Sequence, residues 1–258
     1  MQIHILASGS TGNAIYLNIG QARILVDAGI SARRIEQGLA AIGVKAGDLD
    51  AVLITHEHSD HIKGLEVLTR KHELPIYTRE RTREAIPGQE KMTGCKWQNI
   101  DQDFSIGALE IRAFGISHDA ADPVGFCFHY KQYKWVIVTD LGIVTPGVEK
   151  ALSGADLAVL ESNHDPDLLK NGPYPSFLKQ RILGKQGHLS NQDTAALLCR
   201  IAPLKRMQVF LAHLSQQNNR PQLAEQTVTA ILARQGCQAG EDIILHRTHP
   251  DAAVGLSF

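Results

Sequence analysis

Short apolar runs alternate along the chain with segments in which apolar residues recur three and four positions apart. The short runs, rich in β-branched residues and bounded by turn formers, predict strands, and the periodic segments predict helices. The predicted strands cover residues 2–7, 14–18, 23–27, 51–55, 109–114, 124–130, 134–139, 156–161, 207–212 and 243–246. The predicted helices cover residues 32–42, 60–72, 147–152, 175–183, 192–201 and 221–235. Because early hairpins give way to alternating strands and helices, the pattern predicts a layered α/β sandwich.

Four of the apolar runs end in a residue that can bind a metal ion. The residues that follow or close these runs are His56, Asp140, Glu161 and His213. In layered α/β folds, ligands gather just beyond the carboxyl ends of the strands. We therefore expect side chains that are far apart in sequence to converge on one site.

The densest group of metal-binding residues is His56-Glu57-His58-Ser59-Asp60-His61. Ligands two positions apart on a turning segment can bind the same ion, and the next two, at the start of a helix, can reach a second ion. Imidazole and carboxylate ligands together suit zinc, manganese or iron. A polar helix-capping loop that happens to contain histidines is the alternative, which the apolar strand just before it disfavours.

His118, Asp140 and His213 are candidate partners of this segment. A lone histidine is more often a surface or core residue, and a lone aspartate after a strand is usually a turn former. Their order along the chain and their positions near strand ends favour a role as metal ligands.

This ordered motif resembles that of the metallo-β-lactamase superfamily, specifically its dinuclear phosphodiesterase branch. Four further strings resemble the YycJ/WalJ-like group of bacterial exonucleases. They are Leu6-Ala7-Ser8-Gly9-Ser10-Thr11-Gly12-Asn13-Ala14, Glu161-Ser162-Asn163-His164-Asp165, Gly187-His188-Leu189-Ser190-Asn191 and Leu211-Ala212-His213-Leu214-Ser215. The resemblance runs from about residue 2 to 246 and implies an αββα four-layer sandwich.

The resemblance also implies two divalent transition-metal ions, zinc or manganese, with iron also compatible. It assigns His56, His58 and His118 to one ion, Asp60, His61 and His213 to the other, and Asp140 to a bridging position. Two such cations can activate a shared water and neutralise the charge that builds on phosphate oxygens. The predicted catalytic residues are Asp60, Asp140 and His188.

Asp27, Ser10 and Asn13 are candidates for supporting or substrate-binding roles. By resemblance, Asp27 orients a ligand histidine or caps the metal loop, although an aspartate before Gly29 could simply form a turn. Ser10 and Asn13 belong to a loop of small residues whose backbone can approach a phosphate or the metal loop. A tight hairpin turn explains that loop equally well.

His188 and Ser190 precede a predicted helix, and Ser190 with Asp193 resembles a capping box. Because helix N-termini bind anions, His188 and nearby amides could hold a substrate phosphate or protonate the leaving oxygen. An ordinary cap with an exposed histidine is the alternative. His164, which follows the strand ending at Glu161, is a candidate metal ligand, substrate contact or structural hydrogen bonder.

Composition predicts an ordinary soluble globular protein with a single domain, residues 1–258. Hydrophobic residues make up 43% of the chain and charged residues 21%. The N-terminus lacks a signal-peptide pattern, and the apolar runs are too short to cross a bilayer. Four scattered cysteines predict reduced thiols in a cytoplasmic protein.

The net charge of −1 leaves the chain without the overall basic character of a high-affinity nucleic-acid binder. A polyanionic substrate must therefore be held locally. Candidate cations are Arg33, Arg34, Lys179, Arg181, Lys185 and Arg220, although a solvated helix face is the favoured explanation of each. Tyr174 and Phe177 could stack bases, although core packing is favoured for Phe177.

The leading functional prediction is a metal-dependent phosphodiesterase that acts on DNA as an exonuclease. The DNA substrate, preferred over RNA, the 5′–3′ polarity and a role in DNA repair come only from the resemblance. A small cyclic phosphodiester hydrolase or an RNA-processing nuclease of the same fold is the alternative, and a thioester hydrolase or a protein that keeps metal only for folding is less favoured. We expect no membrane partner, and a homo-oligomer is compatible with the sequence.

Overall fold

Residues 1–201, 206–237 and 240–258, which a computed structural model describes, contain two seven-stranded mixed sheets. The strands are β1 Gln2–Ala7, β2 Ala14–Ile19, β3 Ala22–Val26, β4 Ala51–Leu53, β5 Pro75–Thr78, β6 Lys96–Asn99, β7 Phe104–Ile106, β8 Leu109–Gly115, β9 Val124–Tyr130, β10 Tyr133–Val138, β11 Leu157–Glu161, β12 Met207–Ala212, β13 Ile243–Arg247 and β14 Val254–Ser257. The order is β14-β1-β2-β3-β4-β5-β6 in the first sheet and β13-β12-β11-β10-β9-β8-β7 in the second.

Helices of one to four turns connect many of these strands. They are α1 Ala32–Ala41, α2 Ser59–Ile62, α3 Leu65–His72, α4 Glu80–Ala85, α5 Pro146–Leu152, α6 Pro166–Asn171, α7 Ser176–Leu183, α8 Asn191–Ile201 and α9 Pro221–Arg234. None of the helices in the described part of the chain combines the length and hydrophobicity needed to cross a membrane.

The chain divides into two compact units, each with its own hydrophobic core. The first comprises Met1–Ala113, Ala120–Val124 and His249–Phe258, and the second comprises Phe114–Asp119 and Gly125–Thr248. The single domain expected from the sequence stays a prediction.

The core of the first unit lies where helices pack on its sheet. Ile35 and Leu39, one turn apart on α1, are fully buried, and Leu68 on α3 is buried in the same cluster as Val52 of β4. This spacing gives each helix one apolar face. Burying a side chain of this size stabilises the fold by about 1.5–3 kcal/mol.

In the second unit, helices α8 and α9 cover the parallel strands. Leu197 of α8 and both Val228 and Leu232 of α9 are fully buried in one cluster with Val138 of β10 and Val209 of β12. Strands β10, β11 and β12 read as nearly continuous apolar runs because a parallel sheet of this kind is buried on its faces.

Parallel pairing brings polar residues together at strand ends in both units. In the first, β3 and β4 are parallel, and Asp27 N donates to Leu53 O at 2.8 Å just beyond them. In the second, β10, β11 and β12 are parallel neighbours. Asp140, Glu161 and His213, which follow or close these strands, therefore lie at one edge of the second sheet.

The structure corrects the predicted helix at 60–72. It is two helices, α2 and α3, separated at Lys63 and Gly64. Gly64 N donates to Ala28 O at 2.7 Å, and a Cβ on Gly64 would lie 2.2 Å from Ile30 O. The backbone after β3 packs directly against this point, which interrupts the helix.

The other predicted elements are confirmed with ends shifted by at most two residues. Four strands, β5, β6, β7 and β14, and two helices, α4 and α6, lie outside the predicted set. Strands β6 and β14 are edge strands with largely exposed residues, so they lack the apolar run by which a strand is recognised.

The expectation that Phe177 packs in the core is wrong. Its side chain is 73% exposed, the highest value among the exposed large hydrophobic residues of the described chain. Helix α7 fully buries only Ile182, and Phe177 lies on its exposed side.

Candidate functional site

The four predicted ligands after β4 form one group, which we call the histidine loop: His56, His58, Asp60 and His61. His56 and His61 are fully buried, and their ring centroids lie 4.1 Å apart. The ring of His58 is 4.6 Å from that of His56, and Asp60 Oδ2 is 3.6 Å from His61 Nε2. The loop thus gathers three imidazoles and a carboxylate.

Asp27 and Thr55 fix the orientation of two imidazoles in the histidine loop. Asp27 Oδ2 is 2.8 Å from His61 Nδ1, and Thr55 Oγ1 is 3.0 Å from His56 Nδ1. Asp27 Oδ1 also accepts the Thr55 backbone N–H at 2.9 Å. A carboxylate at Nδ1 fixes the tautomer in which Nε2 carries the lone pair, the form that a metal requires, and raises its basicity.

The small-residue loop that contains Ser10 and Asn13 joins β1 to β2 and contacts the histidine loop. Asn13 N donates to Asp60 O at 2.8 Å, and Asn13 O accepts from Gly29 N at 2.8 Å. The Asn13 amide nitrogen also lies 3.1 Å from His61 Nε2. Ser10 is exposed, whereas Asn13 is buried against the histidines.

We expect Gly29→Ala to destabilise the first unit by at least about 3 kcal/mol, at the upper end for overpacked interiors. A Cβ there would lie 1.6 Å from Asp60 O and 2.6 Å from Asn13 N, so backbone would have to move. Urea denaturation measures the change. Gly147→Ala is the matched control, because its Cβ would meet only the Thr145 hydroxyl at 3.6 Å. Equal stability of the two variants would show that the packing at Gly29 is unimportant.

In the second unit, Asp140, Glu161, His188 and His213 form a group that we call the glutamate cluster. One potential ligand atom from each residue lies within 4.8 Å of those of the other three. Glu161 Oε1 is 2.9 Å from both His188 Nδ1 and His213 Nδ1. The buried carboxylate therefore orients two imidazoles at once.

The backbone around Glu161 completes its hydrogen bonding. Its two oxygens accept the N–H groups of Asp140 at 3.2 Å, Leu141 at 2.7 Å and Leu189 at 3.0 Å. Burial opposes ionisation of Glu161, but the charge and hydrogen bonds of His188 and His213 outweigh it and lower its pKa to about 2. The residue is therefore a carboxylate at neutral pH.

His118 lies beside the glutamate cluster. Its Nδ1 is 3.3 Å from Gly187 O, and its Nε2 is 3.7 Å from Asp140 Oδ1 and 3.4 Å from Asp119 Oδ1. Burial lowers the pKa of His118. This favours the neutral imidazole, the protonation state in which histidine binds a metal ion.

Three site residues have a left-handed backbone: Asp27 with φ 61°, Asp140 with φ 60° and His213 with φ 53°. This region is uncommon for residues other than glycine, and each such residue costs on the order of 1–2 kcal/mol. Asp27 and His213 directly follow a strand, and Asp140 lies two residues after one. The turn redirects the chain there and aims each side chain, and strain of this kind tends to persist at functional sites.

His188 and Ser190 lead into α8 as the sequence indicated. Ser190 and Asp193 form a reciprocal capping box, with Asp193 N donating to Ser190 Oγ at 3.1 Å and Ser190 N donating to Asp193 Oδ2 at 3.3 Å. The side chain of His188 is 17% exposed and bonded to Glu161. It is therefore a half-buried member of the glutamate cluster rather than an exposed residue at a cap.

His164 is 1% exposed, and its backbone pairs with that of Ser190. Within the described residues, neither nitrogen of its ring has a hydrogen-bond partner. Burial lowers the pKa of His164 to about 4. The side chain thus lacks the protein contact expected of a structural hydrogen bonder.

We expect His164 to make the stability of the metal-free protein depend on pH between about 6.5 and 4. In this window the unfolded chain binds a proton that the folded chain does not, so stability falls as pH falls, by up to about 3 kcal/mol. Urea denaturation at several pH values measures the slope. His164→Gln should flatten it, and an unchanged slope in that variant would contradict the buried neutral imidazole.

Two supporting residues, Thr55 and Asn163, were not predicted from the sequence, and the role of a third, Glu161, was not predicted. Thr55 bonds to Asp27, Glu161 orients two histidines, and Asn163 Nδ2 donates to His213 O at 2.8 Å. The apolar run ending at Glu161 pointed to a residue that can bind metal. That run did not show that the Glu161 carboxylate is hydrogen-bonded to His188 and His213.

The residues present suit divalent transition metals. Both groups combine imidazole nitrogen with carboxylate oxygen, the donor set of zinc, manganese and iron. Two of the candidate ligands are held through Nδ1, His61 by Asp27 and His213 by Glu161, which leaves Nε2 as the atom that would bind.

Comparison with known proteins places the chain in a family. Residues 22–214 match the model described as Beta-lactamase superfamily domain. The chain is 39% identical to Exodeoxyribonuclease YycJ of Bacillus anthracis, with 100% of this chain and 99% of the relative covered. It is 40% identical to Exodeoxyribonuclease WalJ of Streptococcus pneumoniae serotype 2, with 98% and 96% covered.

A solved structure shares the fold at low sequence identity. The metallo-β-lactamase fold protein YhfI from Bacillus subtilis superposes with a TM-score of 0.73 at 17% identity, and the match covers 98% of each chain. This likeness confirms the predicted fold. The family match and the metal-ligand groups confirm the predicted class, a metal-dependent hydrolase. The chain belongs to the metallo-β-lactamase superfamily and, within it, to the family of YycJ and WalJ.

Proposed function

We propose that this protein is a DNA exonuclease that hydrolyses phosphodiester bonds with two divalent metal ions. The observation that carries the proposal is its identity of 39–40%, over at least 98% of its length, to two proteins named exodeoxyribonucleases. The histidine loop and the glutamate cluster supply the ligand chemistry that such an enzyme needs.

The proposed ligands are those that the superfamily motif implies. His56, His58 and His118 would hold one ion, Asp60, His61 and His213 would hold the other, and the Asp140 carboxylate would serve both. When bound, two such ions lower the pKa of a water molecule and neutralise charge that develops on phosphate oxygens. Zinc and manganese are the candidate metals, and iron is also compatible with the donor set.

His188 is the proposed proton donor to the leaving oxygen. Its Nδ1 is bonded to Glu161, so its Nε2 can carry the proton that a departing sugar oxygen needs. The carboxylate of Glu161 holds the ring in position. Partial exposure of His188 beside a buried Glu161 suits a group that meets substrate on one side only.

Asp60 and Asp140 are proposed to hold the reacting groups in place. A carboxylate can bind a cation and also accept a hydrogen bond from an attacking water. Asp140 is almost fully buried, whereas the side chain of Asp60 is 22% exposed. Asp60 is therefore the better placed of the two to meet solvent or substrate.

Four broader properties are proposed. The likeness to the exonuclease group supports a 5′–3′ polarity and a role in DNA repair, and the superfamily match supports a single domain. A cytoplasmic location is supported by the four cysteines, none of which forms a disulfide. A homo-oligomer is compatible with all of these.

End-labelled DNA and RNA strands, incubated with manganese or zinc, test this function. We expect labelled mononucleotide to appear first from 5′-labelled DNA and much later from 3′-labelled DNA. The matched RNA strands should be cleaved more slowly. Rapid cleavage of RNA, or of a cyclic phosphodiester with no action on DNA, would replace the proposed substrate with one of those alternatives.

A further inference from the structure

Helix α7 turns an aromatic and a cationic side chain toward solvent on the same face. Phe177 is 73% exposed, and Arg181, four residues later, is also exposed. Residues four apart are neighbours on a helix surface. Leu183, at the end of α7, is 61% exposed. A large exposed aromatic side chain loses the stabilisation of burial, and exposed apolar groups of this kind mark interaction sites.

The chain around α7 is locally cationic although the whole protein is nearly neutral. From Lys170 to Gln186 the sequence carries four cationic side chains and no carboxylate: Lys170, Lys179, Arg181 and Lys185. The net charge of the whole chain is −1. A polyanion is therefore attracted to this segment much more than to an average part of the surface.

This cationic segment contacts the residues on either side of His118, Ser117 and Asp119, at two points. Arg181 Nε donates to Asp119 Oδ2 at 2.5 Å, and Asp119 follows His118 directly in the chain. In the loop after α7, Lys185 O accepts a hydrogen bond from Ser117 Oγ at 2.8 Å. The same loop ends at His188. The exposed face of α7 is thus continuous with two proposed active-site histidines.

A shallow depression lies between these points. Its lining comprises Asp119, Arg181, Gly184, Lys185 and Gln186. Arg181 and Lys185 give it two positive charges against one negative charge from Asp119. The bond to Asp119 holds the Arg181 guanidinium in place, and a guanidinium fixed in this way is suited to bind a phosphate.

We propose that α7 and the loop after it bind the DNA strand next to the bond that is cut. The depression holds a neighbouring backbone phosphate through Arg181 and Lys185, and the ring of Phe177 stacks on a base. This inference rests on the proposed nuclease function and names its substrate-positioning surface. Phe177 lies roughly 6 Å along the helix from Arg181, close to two base steps of about 3.4 Å.

The charge pattern favours a single-stranded DNA end over a protein partner. Aromatic rings combined with cations are the usual equipment for unpaired nucleic acid, in which bases stack and phosphates pair with Lys and Arg. A protein interface around Phe177 and Leu183 would instead need acidic groups of its own to face Lys170, Lys179 and Lys185.

Phe177→Ala tests the stacking surface with two substrates. One is a single-stranded DNA of about eight nucleotides, within the usual range of binding-site sizes. The other is bis(4-nitrophenyl) phosphate, which has no base. We expect the ratio of kcat/KM for DNA to that for the small ester to fall about tenfold, the loss of one stacked base. Phe258→Ala removes another exposed phenyl ring, in the first unit, and should leave the ratio unchanged.

Conservative variants separate stacking from general apolar contact. Phe177→Trp should restore the ratio, whereas Phe177→Leu should not. An abasic residue near the cut site should slow the wild type but not Phe177→Ala. Arg181→Ala should weaken DNA binding. The slope of log affinity against log salt concentration should become shallower by about one, the change expected for the loss of one phosphate contact.

Two results would overturn the inference. One is a Phe177→Leu protein that acts on DNA like the wild type. The other is a Phe177→Ala protein whose oligomeric state changes while its ratio of kcat/KM for DNA to kcat/KM for the small ester does not. That result would assign the surface to contact with a second copy of the chain. If the wild type hydrolyses neither substrate, the proposed function fails. Fluorescence anisotropy with labelled DNA then still tests the surface, because it requires no turnover, and equal affinity of wild type and Phe177→Ala would reject it.

Discussion

Asp60→Ala is expected to lower the rate of DNA hydrolysis by about a thousandfold. Asp60 supplies a carboxylate of the histidine loop, 3.6 Å from His61 Nε2. Removing it weakens the binding of a divalent ion, which contributes several kcal/mol to stabilising charge in phosphate transfer, and about 4 kcal/mol corresponds to that factor. Steady-state kinetics on labelled DNA, with bound metal quantified in the same preparation, measures both consequences.

Asp48→Ala is the control for this change. Asp48 is a partly exposed aspartate in the same unit and forms a surface ion pair with Arg23 at 3.4 Å. Such pairs contribute at most about 1 kcal/mol, so this variant should retain both metal and activity. Wild-type activity in Asp60→Ala would remove Asp60 from the mechanism.

Glu161→Ala is expected to lower activity by about a hundredfold and to destabilise the second unit. The loss of activity follows because residues that orient metal-binding histidines typically contribute ten- to a hundredfold. The loss of stability, about 3–5 kcal/mol, follows because two imidazoles and three backbone N–H groups lose a buried charged acceptor. Metal content, kinetics and urea denaturation report these effects separately.

Glu161→Gln distinguishes the charge of this residue from its shape. An amide fills nearly the same volume, but it has one acceptor oxygen, and its NH₂ group faces donors. We expect intermediate stability together with a clear loss of metal. A Gln variant with wild-type metal content and activity would show that the negative charge of Glu161 is dispensable, contrary to the role given to the carboxylate here.

The grouping of the candidate metal-binding residues could be predicted because these residues follow apolar strands. The pattern of apolar runs that end in polar residues singled out His56, Asp140 and His213 as candidates, and the close spacing of the histidine loop is visible in sequence. Their role as metal ligands stays a prediction. Parallel pairing of β10, β11 and β12 explains why Asp140 and His213 lie at one sheet edge. Local patterns carry this information because a buried strand reads as an apolar run, and the run stops where the strand leaves the core.

Other features depend on contacts between distant segments and could not be predicted. Glu161 orients His188 and His213 from another strand, and no local pattern distinguishes that role from metal binding. The break between α2 and α3 arises because backbone after β3 packs against Gly64. Phe177 is apolar and lies in a helix, which suggests burial, but its exposure depends on which face of α7 meets the interior.

Titration of the metal-free protein with Mn²⁺ or Zn²⁺, while DNA hydrolysis is followed, tests the central claim most directly. The account predicts no hydrolysis without metal and a rise in activity that ends when two ions are bound per chain. Asp140→Asn should bind the ions more weakly and reach a much lower rate. Full activity in the thoroughly demetallated protein, or binding of two ions with no hydrolysis of DNA, would contradict it.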